Sequence, residues 1–422
     1  MRTKPVSQSP AAPALYLDRH VADLTVFLQK LVRLRTVNPP GENYGAMTRL
    51  LASTLRGLGL KVRRLPIPRA LQKKTQPNLL DHPRYNVIGF WDAGAKRTIH
   101  FNAHYDVVPF SGVWKHSGAF RPALDNGWMY GRGTADMKGA IASVVFALKA
   151  LRETGTSPNL NVEVSFVADE ETDSSLGSGW VTAHGKLRAD YAVVGEGGEG
   201  SAVCCGHNGV VWLNVQVHGK AAHGSTPEAG INALEKMSAL VLALEEYKRQ
   251  LARRKFLTPA GRLMAPTLNL GGVFTAGDGG KINTVPASAS FTIDRRVLPT
   301  EDIRTAEREL RAFLQQAARK IPRCRITIDK ISDNYSCYSP PTHPLFAAMQ
   351  QSVTRVRRRP TKFMVSTGFN DMHYFAQVKK IPTLGYGPGG LNCHAVDERV
   401  RIKDLVDSAK IYADLLTTFR AD

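Results

Sequence analysis

No run of this chain is apolar over the roughly 20 residues that a bilayer-spanning helix needs. The opening segment, MRTKPVSQSPAAPALYLDRH, has basic residues but no continuous apolar stretch of signal-peptide length. Cysteine is scarce. Cys204, Cys205, Cys324, Cys337 and Cys393 form an odd set without a CxxC pair, which argues against a disulfide framework and for a reducing compartment. The expectation is a soluble cytoplasmic protein with no membrane partner. Acidic residues are also few, 36 against 56 Lys and Arg, so the formal net charge is +20. A field of that sign favours acidic small molecules, nucleic acid or anionic surfaces. The one dense basic cluster, Arg355, Arg357, Arg358 and Arg359, has no interleaved aromatics and no nucleic-acid motif beside it. It reads as a solvated face, and no nucleic-acid partner is expected. Internal repeats and low-complexity tracts are absent too.

With 422 residues the chain exceeds one ordinary core, and 43% hydrophobic with 22% charged residues is the balance of a globular protein. Two domains are expected. The most informative stretch runs from His100 to Lys138. A strand from Arg97 to Ala103 ends in His104, and Asp106 follows two residues later, so both side chains face one side of an extended strand end. Asp136 lies after Gly131 and Gly133, in a loop that opens a helix over Gly139 to Leu151. Leu160 to Ala168 alternates apolar and polar residues as a strand and runs into Asp169, Glu170 and Glu171. Three adjacent acids repel one another, and a bound cation resolves the repulsion. Ala189 to Val194 is a further strand, followed by Glu196. Three strands thus end in potential metal ligands, as in open α/β sheets whose sites lie beyond the carboxyl ends of the strands.

Upstream, apolar spacing predicts helices over Tyr16 to Leu34 and Tyr44 to Leu58, a strand over Lys61 to Pro66, a surface loop over Pro68 to Arg84 and a strand over Tyr85 to Trp91. From Gly209 to about Asp333 the order becomes strand, helix, strand, strand, helix, strand, the split pattern of a small α+β ferredoxin-like sandwich. The expected organisation is a catalytic domain in two parts, 1–208 and 334–422, around an inserted domain, 209–333. The alternating strands and helices of the first domain predict an α/β fold with a mostly parallel central sheet.

Six segments in this order, HFNAHYDVVP, YGRGTADMKG, DEE, VVGEG, HGKAAHGSTP and CHAVDE, resemble the co-catalytic zinc peptidases and deacylases. That family includes acetylornithine deacetylase, succinyl-diaminopimelate desuccinylase, aminoacylase and bacterial glutamate carboxypeptidase. The resemblance covers nearly the whole chain after residue 15. It implies two Zn²⁺, with Co²⁺ or Mn²⁺ as substitutes: His104 and Glu196 on one ion, Glu171 and His394 on the other, and Asp136 bridging. Asp106 would support His104, and Glu170 would be the general base for a water activated by the two ions. The inserted domain would be a lid and dimerisation domain, so a homodimer is implied. His223 would stabilise the oxyanion, while Asn283, Arg296 and Gly368 would bind a small substrate bearing a carboxylate.

The segment Ser366 to His373 departs from the Gly-Gly-Thr-Asp-type turn frequent in the family. Phe369 replaces a small or hydroxyl residue, and His373 replaces an arginine. Specific identities of substrate therefore do not transfer. The expected activity is hydrolysis of the amide of a small N-acyl amino acid, of the deacetylase or desuccinylase type. A carboxypeptidase or dipeptidase is the rival within the class, and a non-catalytic binding protein on the same fold the rival outside it.

Overall fold

The polypeptide divides into two units, which the computed structural model describes over residues 11–420 apart from 117, 198, 199 and 276–280. The first unit comprises Met1–Gly206, Ser339–Met364 and Asn370–Asp422. Its main sheet contains β1 (Lys61–Pro66), β2 (Tyr85–Trp91), β3 (Thr98–His104), β4 (Asn161–Val167), β5 (Tyr191–Val194), β6 (Ala202–His207) and β7 (Thr383–Gly385). These lie in the order β1-β2-β4-β3-β5-β7-β6. The four central strands β4, β3, β5 and β7 are parallel, and β1, β2 and β6 extend them with antiparallel pairings. The parallel core matches the expectation; its borders make the sheet mixed.

Every residue of β3 and β4 is buried. Strands covered on both faces usually read as continuous apolar runs. Here they do not: β3 is TIHFNAH and β4 is NVEVSFV. The register explains the exception, because His100 lies opposite Glu163 and Asn102 opposite Ser165. The helix Lys138–Glu153, buried along nearly its full length, follows the Asp136 loop and packs against β3 and the closing helix Ile402–Thr418.

Several expectations need correction. The helix expected from Tyr16 to Leu34 is two, Ala12–Arg19 and Val21–Arg33, with the break at His20. There the backbone leaves helical geometry at φ −115° and ψ 29°, the imidazole Nδ1 bonds the Tyr16 carbonyl at 2.7 Å and the ring stacks on Tyr16. The loop expected over Pro68 to Arg84 holds a helix, Arg69–Thr75, and a 3₁₀ turn, Pro77–Leu79. Its anchor is polar and therefore silent in hydropathy: the buried Gln72 amide donates to the carbonyls of Leu79 and His82. The arginine cluster is also not simply a solvated face, since Arg355 pairs with Asp414 at 2.6 Å and Arg357 with Asp404 at 2.8 Å.

The second unit is His207–Tyr338 with a short return, Val365–Phe369. The sequence predicts borders at 209 and 333 and assigns the return to the second catalytic part, whereas the unit includes it. The four strands of its main sheet lie in the order Thr267–Thr275, Ser288–Val297, Gly209–His218, Arg325–Asn334, all antiparallel. Alternate residues Val211, Leu213, Val215 and Val217 pack in one core with Leu240 and Leu244 of helix Ala233–Ala252 and Leu310 and Leu314 of helix Ile303–Lys320. Both helices start at side-chain caps, Asn232 and Asp302.

Candidate metal centre

The parallel strands deliver the polar cluster of the first unit at their carboxyl ends. His104 ends β3 and is fully buried. Its Nδ1 is 3.1 Å from the Asp106 carbonyl and 3.5 Å from the Asp106 carboxylate, and its Nε2 is 3.1 Å from Asp136 Oδ1. The other oxygen of the same carboxylate, Asp136 Oδ2, is 3.2 Å from His394 Nε2. His394 Nε2 is in turn 3.1 Å from Glu171 Oε2. Asp136 therefore sits between two imidazoles with one oxygen toward each. Glu170 Oε2 is 3.8 Å from His104 Nε2.

Asp106 organises more than its histidine. Its carboxylate accepts the backbone N–H groups of Glu170 and Glu171, each at 3.2 Å, and the Asn38 amide at 3.0 Å. The two glutamates occupy a turn after β4, and Asp169 enters that turn with φ +62°. Asp169 also answers the question of three adjacent acids differently. Its carboxylate is paired with Arg84 at 3.1 Å, both side chains wholly buried, and receives Tyr44, Asn38 and Gln76. An arginine distant in sequence, not a metal ion, neutralises the first acid of the three. Arg84→Met is expected to destabilise the fold by about 3–5 kcal/mol, because it leaves a buried carboxylate without its counter-charge. Chemical denaturation of the purified variant measures this.

Glu398 is the main residue the sequence reading missed. Its carboxylate takes Arg132 Nη1 at 2.7 Å and the Gly133 N–H at 2.9 Å on Oε2, with the Ala135 and Asp136 N–H groups at 2.9 and 3.1 Å on Oε1. It fixes the Asp136 loop from the segment that carries His394. Gly133 serves the same loop with φ +84°, and a Cβ there would meet Val107 at 2.6 Å. Glu398→Gln turns one end of the carboxylate into a donor facing donors. The expected result is a loss of metal affinity of about 10–100-fold with KM nearly unchanged, read by chelator competition and steady-state kinetics.

Asp371 completes the acid cluster and starts a buried polar chain. It accepts from Ser174 and, at 2.6 Å, from Ser178. Asn102 Nδ2 reaches Ser178 and Ser165, each at 2.9 Å, and His100 joins Ser165 at 2.7 Å to Glu163 at 2.9 Å.

Charge is the dominant property here. Among the described residues, Asp136, Glu170, Glu171, Glu196 and Asp371 converge with His104 and His394 as the charges that offset them. Burial and then the charge of Glu196 push Glu170 well above the usual carboxylate range. Burial and then Asp136 push Glu171 up to about 7 and Glu196 well above its ordinary value. Hydrogen bonds to Asp136 and Glu171 push His394 up to about 10. Burial works against the protonated form of His104, but the bonds to Asp106 and Asp136 hold its pKa well above the ordinary value. Among the described residues, Glu196 Oε2 is out of solvent and without a hydrogen-bond partner. Ligand atoms of His104, Asp136 and Glu171 lie within 4.8 Å of one another. Imidazole and carboxylate donors short of positive charge suit divalent ions such as zinc.

The remaining sequence candidates belong to the second unit. His223 and Asn283 are brought together there: His223 pairs with Thr284, and the Asn283 carbonyl accepts the Gly224 N–H at 2.7 Å. Arg296 lies on strand Ser288–Val297 and is held by Asp294 at 2.9 Å. Gly368 is in the short return, its N–H on Ser366 Oγ at 3.2 Å. Phe369 meets the Trp212 ring edge to face at 6.1 Å. In the first unit, the His373 imidazole is buried on the Asn370 carbonyl at 2.8 Å.

An acid-rich, imidazole-bearing cluster at the carboxyl ends of a partly parallel sheet defines a metallohydrolase. Residues 100–418 match peptidase family M20/M25/M40, and the chain belongs to that family. It is accordingly a metal-dependent amidohydrolase. Acetylornithine deacetylase of Photorhabdus laumondii is 27% identical over 378 residues, 89% of this chain and 90% of that protein. Succinyl-diaminopimelate desuccinylase of Gluconacetobacter diazotrophicus is 28% identical over 397 residues, 92% and 94% of the two chains. Human carnosine dipeptidase 1 has the same fold at a TM-score of 0.74 and 17% identity, covering 97% of this chain and 99% of its own. An M20-family metallo-carboxypeptidase of Sulfolobus solfataricus gives 0.76 and 21%, covering 93% and 98%. Among the described residues, no helix is long and apolar enough to cross a membrane.

Proposed function

We propose that this metallohydrolase removes the acyl group from a small N-acyl amino acid, the reaction type of the deacetylase and desuccinylase relatives. The observation that carries the reading is the Asp136 carboxylate set between His104 and His394 with Glu170 beside it. His104, Asp136 and Glu196 would hold one divalent ion, and Asp136, Glu171 and His394 the other. When bound, two such ions polarise a carbonyl and acidify water. Glu170 is then the group that takes a proton from the attacking water at its carboxylate and returns it to the leaving nitrogen. Asp106 holds the ring of His104 and the backbone of Glu170 in place. His223 is assigned to the developing oxyanion, and Asn283, Arg296 and Gly368 to the substrate carboxylate, for which a guanidinium fork is the matching donor. We propose the homodimer as the working assembly, with zinc, cobalt or manganese as the ion.

The test is a panel of N-acetyl, N-succinyl and N-formyl amino acids against dipeptides, with zinc-loaded and metal-stripped protein. Metal-dependent release of the amine from N-acyl amino acids, faster than dipeptide cleavage, is expected. Faster dipeptide cleavage would replace this reading with the peptidase one, which the dipeptidase and carboxypeptidase folds keep open. Arg296→Ala is expected to raise KM about tenfold or more, and an unchanged KM would remove it from substrate binding.

A further inference from the structure

A concavity of the first unit lies toward the amino ends of β4 and β5, away from the acid cluster at their carboxyl ends. It encloses about 550 Å³ and is walled by Lys61, Arg63, Lys186 and Arg188 over a floor that includes Ile88 and Phe90. The strand register builds it. Lys61, Phe90 and Glu163 align in one row across β1, β2 and β4, and Arg63, Ile88 and Ser165 in the next but one. Residues two apart on a strand share a face, so both β1 cations face one way. Opposite them, Lys186 has φ +50°, the left-handed position after a helix where glycine is the low-cost residue. Arg188 lies over the Phe90 ring at 4.4 Å, and Arg63 donates to the Gly185 carbonyl.

Among the described residues none of these four cations makes an ion pair. The one acid lining the pocket, Glu163, is buried and already engaged by the His100 imidazole and the Arg188 N–H. Four like charges around an apolar floor, against one lining carboxylate that is already engaged, leave the pocket positive. Its volume is that of a small-molecule site, not of a groove for a duplex.

We propose that this pocket is a binding site for a small polyanion of the phosphate type, separate from the metal centre, with the charged groups on Lys61, Arg63, Lys186 and Arg188 and any flat apolar part on Phe90. Pyrophosphate and ADP are the probes, titrated calorimetrically into the metal-loaded full chain at physiological salt. Saturable binding is expected, weakened about tenfold or more in the pair Lys186→Glu with Arg188→Glu and unchanged in a control pair, Arg358→Glu with Arg359→Glu. Lys186→Gln with Arg188→Gln serves if the reversed pair does not fold, with weakening in the same direction. Three results would overturn the proposal: no saturable binding to the wild type, binding untouched by the pocket substitutions, as an anion on the metal centre would give, or equal loss in the control pair. Tighter binding of a single-stranded oligonucleotide than of ADP, lost in both pairs, would also overturn it by making the charge a diffuse nucleic-acid surface.

Discussion

Glu170→Ala is expected to lower kcat by about 10²–10⁴-fold while the protein keeps its full metal content, because the loss is confined to proton transfer. The side chain has the environment this role demands. It is 3.8 Å from His104, its backbone is pinned by Asp106, and burial with the charge of Glu196 raises its proton affinity above that of an ordinary carboxylate. Steady-state kinetics and elemental analysis on one preparation separate the two quantities. A variant that loses metal together with turnover would make Glu170 a ligand, and one that retains turnover would require another base.

The second large effect is on metal binding itself. Asp136→Asn is expected to lose more affinity than the about 10–100-fold that a supporting residue costs, and to lose both ions together. One carboxylate faces both imidazoles, 3.1 Å from His104 and 3.2 Å from His394, so no substitution there can spare one side. Asparagine keeps the shape but removes the charge and turns one oxygen into a donor. His394→Ala, by contrast, should release one ion and leave the other measurable. Loss of a single ion in Asp136→Asn would show that the carboxylate serves only one of them.

The sequence was readable where one residue type at one place suffices. His104 and Asp106 at a strand end, Asp136 after two glycines, and the acids following Val167 all announce a site at the carboxyl ends of strands, and the structure brings those residues together. It was misleading where the partner is remote. The pairing of Asp169 with Arg84, 85 residues apart, and the capture of Asp136 by Glu398, 262 apart, leave no local pattern. The polar residues of β4 illustrate a subtler failure. Alternation normally means one face in water, yet Glu163 and Ser165 are buried against His100 and Asn102, and only the neighbouring strand reveals that. Likewise, the helix within the segment Pro68 to Arg84 is anchored by a polar side chain, Gln72, which periodicity does not register.

The order in which the proposed ligands occur along the chain has a consequence for biosynthesis. His104, Asp136, Glu171 and Glu196 are all translated before the second unit begins, but His394 comes 198 residues after Glu196, since 394 − 196 = 198. At roughly 5–20 residues per second, the ribosome needs about 10–40 s to cross that interval. During it, the emerging first part carries a crowd of carboxylates with neither its second imidazole nor Glu398, the residue that fixes the Asp136 loop. Ion loading at full affinity therefore belongs to a polypeptide that already includes His394 and Glu398. A ribosome-bound nascent chain ending before His394 should exchange zinc freely with chelators that the finished enzyme resists.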